Sequence, residues 1–196
     1  SKIKNLGKTD VKIYDSEDYV SKKRNLGITK ANSENIIIMD DDCVPCENFL
    51  KNHYSPLINL QDEKQLFCGI IKYDNNLKSR SNYFRFREDR HRKFDKFYKL
   101  SRNLNFHNIV CMNMSFKKKS IQENNLKFNE EFNTYGFEDL QFGIDALFED
   151  FQIKTNSAEV IHQDSTPLPL FQKKINSFAK TYFFLFYPYN KNRIES

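Results

Sequence analysis

No apolar stretch in this chain is long enough to cross a membrane, which takes about 20 residues. The start shows no signal-peptide pattern. Both absences predict a protein that faces the cytoplasm. Cysteine is scarce: Cys43, Cys46, Cys68 and Cys111 are too few and too scattered for a disulfide framework. There is no internal repeat and no low-complexity tract, which excludes a solenoid or a disordered array.

What is present is 196 residues with 39% hydrophobic and 29% charged side chains, enough for one soluble globular domain with its own core. The formal net charge of +5 is modest but concentrated. Between Lys72 and Arg102, basic residues such as Arg80, Arg85, Arg87 and Arg92 interleave with Tyr83, Phe84, Phe86 and Phe94. Such a patch suits phosphate groups, acidic glycans or anionic lipid headgroups, and so peripheral association with a membrane. The bland alternative is a solvated helix with an aromatic core face.

The most informative segment is Ile36-Ile37-Ile38-Met39-Asp40-Asp41-Asp42. A run of strand-forming residues leads into three adjacent carboxylates. Like charges at that spacing repel, and a divalent cation would turn the repulsion into a site, because hard cations take carboxylate oxygens. In an extended segment side chains two apart point the same way, about 6–7 Å along the strand. Asp40 and Asp42 can therefore face one ligand, with Asp41 turned aside. The same acids could equally form a simple turn.

Around this segment the sequence predicts alternating strands and helices, hence an α/β sheet layered on both faces. Val11 to Tyr14 reads as a strand, followed by an acidic helix start at Asp15 to Asp18. Val20, Gly27, Ile28 and Ala31 share a helical face. Pro45 to Leu60 reads as a helix stopped near Pro56. Leu66 to Tyr73 and Ile109 to Phe116 read as strands, and Ser81 to Arg102 as helix or loop. Leu140, Ile144, Leu147 and Phe151 mark an amphipathic helix. Val160 and Ile161 form a short strand before His162. The aromatic tail, residues 166–196, reads as a helical extension packed on a domain at residues 1–165.

Several of these pieces resemble family 2 glycosyltransferases of the nucleotide-sugar A-type (GT-A) fold. Arg24-Asn25-Leu26-Gly27 with Ala31, then the strand ending in Asp40-Asp41-Asp42, resembles the "RN-G-A" helix and Asp-x-Asp strand. Asn113-Met114-Ser115-Phe116 resembles the "N-S-F" strand. Phe128 to Phe132 with Gly136-Phe137-Glu138-Asp139 resembles the acceptor-side motif, and Ile161-His162 the late strand that ends in a metal-binding histidine. The resemblance spans about residues 11–165 and is similar to chondroitin-polymerase and galactosyltransferase catalytic domains. The first strands of the family pattern have no counterpart, so the chain is expected to begin at about the third strand.

The resemblance implies a metal-dependent, inverting transfer of a sugar from a UDP-sugar to a hydroxyl of a glycan or lipid-linked acceptor, as in polysaccharide biosynthesis. It implies that Asp42 ligates Mn²⁺ or Mg²⁺, that Asp40 holds the ribose or the metal's water shell beside Asp41, and that His162 adds a nitrogen ligand, which favours Mn²⁺. It gives Asp139 the role of general base and Glu138 that of orienting the acceptor. Arg24 and Asn25 are implied contacts to the nucleotide. Asn113 is expected either to position the donor sugar or to satisfy strand-end backbone groups.

Two alternatives stay open beside it. One is a sugar-nucleotide-binding domain without turnover. The other is a thioredoxin-like dithiol at Cys43-Val44-Pro45-Cys46, which the neighbouring aspartates oppose because they raise a thiol pKa. A nucleic-acid-binding module using the basic aromatic stretch leaves the acidic cluster without a role, so no nucleic-acid partner is expected.

Overall fold

The computed structural model describes residues 10–16, 19–60, 63–92, 106, 109–132, 136–182, 186–187 and 190–191. The three isoleucines form β1 (Asn35–Met39), as β-branched side chains favour. Their alternation serves two layers: Ile36 and Ile38 pack into one apolar cluster and Ile37 into another on the opposite face of the sheet. A strand that packs on both faces reads as a continuous apolar run, although here only Ile36 is buried.

Four further strands complete the sheet: β2 (Cys43–Pro45), β3 (Gln65–Tyr73), β4 (Asn113–Lys117) and β5 (Gln152–His162). The spatial order is β1-β4-β3-β5-β2. Only β3 and β5 run parallel; the other three pairings are antiparallel. As a result β1, β3 and β5 end at one edge of the sheet, where β4 and β2 begin. Chemistry-bearing residues collect there.

Helices α1 (Val20–Lys30), α2 (Phe49–Ile58), α3 (Asn75–Arg80), α4 (Asn82–Arg92), α5 (Lys118–Glu123), α6 (Glu138–Phe148) and α7 (Leu168–Thr181) flank this sheet. The larger cluster joins Ile28 of α1 and Phe142 of α6 to Leu66, Met114, Phe116 and Ile153 of the strands. Phe128 stacks on Phe142 with ring centres 4.2 Å apart. On the opposite face α2 packs on β4 and β5. Its His53 is fully buried in a polar knot. Nε2 donates to Asn113 Oδ1 at 2.7 Å, while Ser115 Oγ and Asn156 Nδ2 donate to Nδ1 at 2.8 and 3.0 Å. Every ring nitrogen is thereby satisfied with the histidine neutral.

Several sequence expectations change. Val11 to Tyr14 forms no strand: Ile13 is 76% exposed, and alternation supplies no partner for a ladder. The first helix begins at Val20, with no acidic residue in its first turn. Pro45 belongs to β2, an edge strand, where a missing N–H is tolerated. Helix α2 passes Pro56 and ends at Ile58, because one lost bond near its end is offset by the buried Leu57. The strand expected from Ile109 starts at Asn113, and the short strand before His162 is an eleven-residue element. The helix expected through Phe151 stops at Phe148. Of the basic aromatic stretch, Asn82 to Arg92 is helical and residues 93–102 lie outside the described set.

The tail helix α7 lies against the body. Phe178 stacks on Phe137 at 3.9 Å between ring centres, and Phe186 joins Phe132, Phe137 and Ile144 in a third cluster.

Candidate active site

Asp40 to Asp42 lie in the turn that carries the chain from β1, one edge of the sheet, to β2, the opposite edge. Cys43 N donates to Asp40 O at 3.1 Å and closes the turn. The turn thus crosses the end of the sheet where β3 and β5 finish. In register, His162 sits opposite both Cys43 and Tyr73. Its Nε2 lies 3.1 Å from Asp42 Oδ2, and its Nδ1 3.2 Å from the Tyr73 hydroxyl. The ring is buried, while the Asp42 side chain is 44% exposed to the cleft. A buried imidazole fixed by a second partner and a half-open carboxylate could hold a divalent cation and leave room for other ligands.

Asp42, Cys43 and His162 each offer a ligand atom within 4.8 Å of the others. Sequence reasoning gives no sign that Cys43 joins this pair. Burial and the charges of Asp42 and Asp40 push its thiol up to about 12, so carboxylate and imidazole remain the natural donors. The same shift opposes the dithiol alternative. Burial likewise raises Cys46, the motif opens in a strand, and a redox pair needs a lowered thiol pKa.

The second half of the site is built around Arg24 on α1, whose side chain is only 8% exposed. Its guanidinium donates to Asp139 and, at 3.2 Å, to Asp40, and lies 4.0 Å from Glu138. It also sits over the Phe128 ring at 5.2 Å. Burial alone would lower its pKa, but Asp139, Asp40 and Glu138 outweigh that and hold the cation above its usual range. Asp139 accepts a further bond from Cys111 N at 3.2 Å. Glu138 differs. Its Oε2 is buried without a hydrogen-bond partner, and burial together with the Asp139 charge raises its carboxyl to about 7. Burial also raises Asp40, partly offset by Arg24.

Two residues with positive φ deliver this carboxylate pair. Gly136 (φ 97°) and Phe137 (φ 71°) turn the chain sharply into α6, so Glu138 and Asp139 fill its first turn, where the helix dipole favours negative charge. A Cβ on Gly136 would collide with the Phe178 ring of α7.

Both halves face one cleft of about 1730 Å³. Arg24, Asp40, Asp41, Asp42, Glu138 and Asp139 line it, with β1 along one wall and α7 along another. Two expected contacts are not brought there. Asn25 donates to Phe128 O and Glu130 Oε1, both at 2.8 Å, and accepts from Phe128 N, tying α1 to the acceptor-side loop. Asn113 is fully buried and donates to Ile70 O and Ala158 O at 3.0 Å each, so it serves backbone carbonyls inside β3 and β5, where the register of their ladder shifts. The strand that carries it leaves its side chain on the α2 face. Asp40 turns toward Arg24, and Asp42 alone of the three acids meets His162. Tyr73 and Arg87 also line the cleft, and sequence reasoning misses both, since a strand-end tyrosine and one arginine among many carry no signal by themselves.

A five-stranded mixed sheet flanked by helices, with an acidic turn across its end, is a glycosyltransferase domain of the A-type fold. The chain belongs to glycosyl transferase family 2, whose model matches residues 2–124. Arg24 and Asp40 to Asp42 fall inside that span, and Glu138, Asp139 and His162 beyond it. Members of the family bind a nucleotide-sugar donor and an acceptor. No curated protein matches the chain. Among the described residues no helix is long and apolar enough to cross a membrane.

Proposed function

We propose that this domain transfers a sugar from a UDP-sugar to a hydroxyl of a glycan or lipid-linked acceptor, with inversion and with the help of Mn²⁺ or Mg²⁺. The observation that carries the reading is that Asp42, which lines the same cleft as the Glu138–Asp139 pair, meets the buried His162 at 3.1 Å. One end supplies cation ligands and the other a proton acceptor. The donor set fits such an ion: one half-exposed carboxylate and one imidazole whose second nitrogen is held by Tyr73. The cation, when bound, neutralises the charge that develops on the departing diphosphate.

The chain's own residues do the rest. Asp42 and His162 hold the donor end, and Asp40 and Asp41 border it. Arg24 spans the two ends of the site, bonded to Asp139 at one and to Asp40 at the other. Glu138 and Asp139 stand side by side in the first turn of α6, so both carboxylates are placed to take part in accepting the proton. Asp139 receives the hydroxyl on a free lone pair, in the role of base, and Glu138, with its bare oxygen and a carboxyl near 7, shares the proton at neutral pH. Attack on the anomeric carbon from the side opposite the leaving group inverts its configuration.

A thermal-shift screen of UDP, GDP, CDP and dTDP, each with and without Mn²⁺, tests the reading. UDP and Mn²⁺ together should raise the unfolding temperature more than either alone, and Asp42→Asn should abolish the joint effect. If no nucleoside diphosphate stabilises the protein, with Mn²⁺ or without it, the reading fails.

A further inference from the structure

Arg87 lies on α4, the helix that packs on β3, and is 9% exposed. Its surroundings fix it closely. Nη2 donates to Asp164 Oδ2 at 2.9 Å. The guanidinium carbon sits 5.0 Å from the centre of the Tyr73 ring, 5.7 Å from that of Tyr83 and 5.6 Å from that of Phe171. Aromatic faces attract a cation and leave its planar edge available for hydrogen bonds. Yet Nη1 is buried with no hydrogen-bond partner. A buried guanidinium nitrogen in that state is costly and calls for an explanation.

A structural clamp would account for the Asp164 ion pair and the stacked rings. It does not account for the bare nitrogen, nor for the residue's position on the wall of the catalytic cleft. The location is specific. Arg87 lies over Tyr73, Tyr73 holds His162, and His162 meets Asp42. Arg87 is therefore one aromatic ring away from the proposed cation ligands. Arg24 is already bonded to Asp139 and Asp40, whereas Arg87 has one carboxylate partner among the described residues and a nitrogen without one. The complement of such an edge is an anionic oxygen, and phosphate oxygens match guanidinium geometry well.

We propose that Arg87 binds the diphosphate of the sugar donor through Nη1, next to the Asp42–His162 pair. The inference rests on the reading of the cleft as a site for a nucleoside-diphosphate sugar. One arginine of the basic aromatic stretch thereby acquires a defined role. It holds the leaving group from the α4 side while Asp164 and the three rings keep the guanidinium in place. Arg87 touches the donor and not the acceptor, so its effect falls on binding of the diphosphate.

Calorimetric titration of inorganic pyrophosphate, UDP and UMP, each with Mn²⁺, into the wild-type protein and Arg87→Lys tests this. Lysine retains the charge and can still pair with Asp164, but it lacks the planar fork. Pyrophosphate and UDP should bind the variant about tenfold or more weakly, and UMP within about twofold of wild type, given the strength of charge-assisted hydrogen bonds. Unchanged pyrophosphate and UDP affinity in a folded variant overturns the assignment and leaves the transferase reading standing. An equal loss for all three ligands also overturns it, since that marks a general disturbance of the cleft. If wild type binds neither pyrophosphate nor UDP, the transferase reading itself fails. Should Arg87→Lys not fold, the Arg87 Nη resonances of the wild-type protein provide the decision: pyrophosphate must shift them, and their indifference to it refutes the proposal.

Discussion

Arg24, on the first helix, donates a hydrogen bond to Asp139, at the start of α6, across 115 positions of chain. The same guanidinium reaches Asp40 at the end of β1. One cation thus holds together an acid from each end of the cleft. Without it, Asp40, Glu138 and Asp139 would be three partly buried carboxylates in mutual repulsion.

Removing that cation should therefore cost more than a surface ion pair does. Arg24→Ala is expected to lower unfolding free energy by about 3 kcal/mol, the size typical of breaking a buried pair from one side. Arg24→Lys should recover part of the loss, because it restores charge without the two-armed geometry. Chemical denaturation at pH 7 measures both; an Arg24→Ala variant as stable as wild type would contradict the central role given to this residue.

Tyr73→Phe removes only the hydroxyl that faces His162 Nδ1 at 3.2 Å. Fixing the second nitrogen of a ligating histidine is worth about tenfold or more in metal affinity. Titration of Mn²⁺ followed by electron paramagnetic resonance should show that weakening, with His162→Ala weaker still. Equal Mn²⁺ affinity in all three proteins would remove His162 from the ligand set.

The pH dependence of turnover follows from the Glu138–Asp139 pair. The pair must be deprotonated to accept a proton, and Glu138 carries a carboxyl raised to about 7. Turnover should rise with pH through that region, and Glu138→Gln should move or erase the acidic limb. Asp139→Asn should lower turnover by at least about a hundredfold at every pH. A full-rate Asp139→Asn enzyme, or a profile untouched by Glu138→Gln, would take the base function away from the pair.

Stability has its own pH signature, set by His53. Burial lowers its pKa from the ordinary 6.5 to about 4, in spite of the hydrogen bond to Asn113. Between those values the unfolded chain takes up a proton that the folded protein refuses. Stability should therefore fall as pH drops from 6.5 toward 4, by about 3 kcal/mol in all. Asp164 acts in a lower window. Burial would raise it, but hydrogen bonds from Thr166 and the charge of Arg87 hold it at about 2, so its contribution is present above pH 4 and lost below. Urea denaturation of wild type and His53→Gln across pH 7.5 to 4.5 checks the first window. The variant's curve should be flatter, and parallel curves would show that His53 is not responsible.

Much of the α/β architecture was legible because local pattern and final environment agree. Ile36 to Ile38 alternate between two apolar layers, Leu66 to Tyr73 lies within a strand, and Leu140, Ile144 and Leu147 mark a helix. Val11 to Tyr14 failed because strand formation depends on a partner that a run of residues cannot specify. The same limit applied to Asn25 and Asn113. Each is an amide in the right motif, and only packing decided that one ties down a loop and the other fills a buried knot around His53.

By itself the sequence determined the chemical repertoire: clustered acids after a β-branched strand, a Gly-Phe-Glu-Asp turn into a helix, and a histidine at the end of a late strand. Periodicity marks the acids at a strand end, and the resemblance to family 2 glycosyltransferases singles out the other two. Tertiary structure alone decided the partnerships. That Asp42 meets His162, that Arg24 gathers Asp40 with Asp139, and that Arg87 waits beside Tyr73 with an unused nitrogen are consequences of strand order and register. Those arise from contacts among distant segments, and no local pattern encodes them.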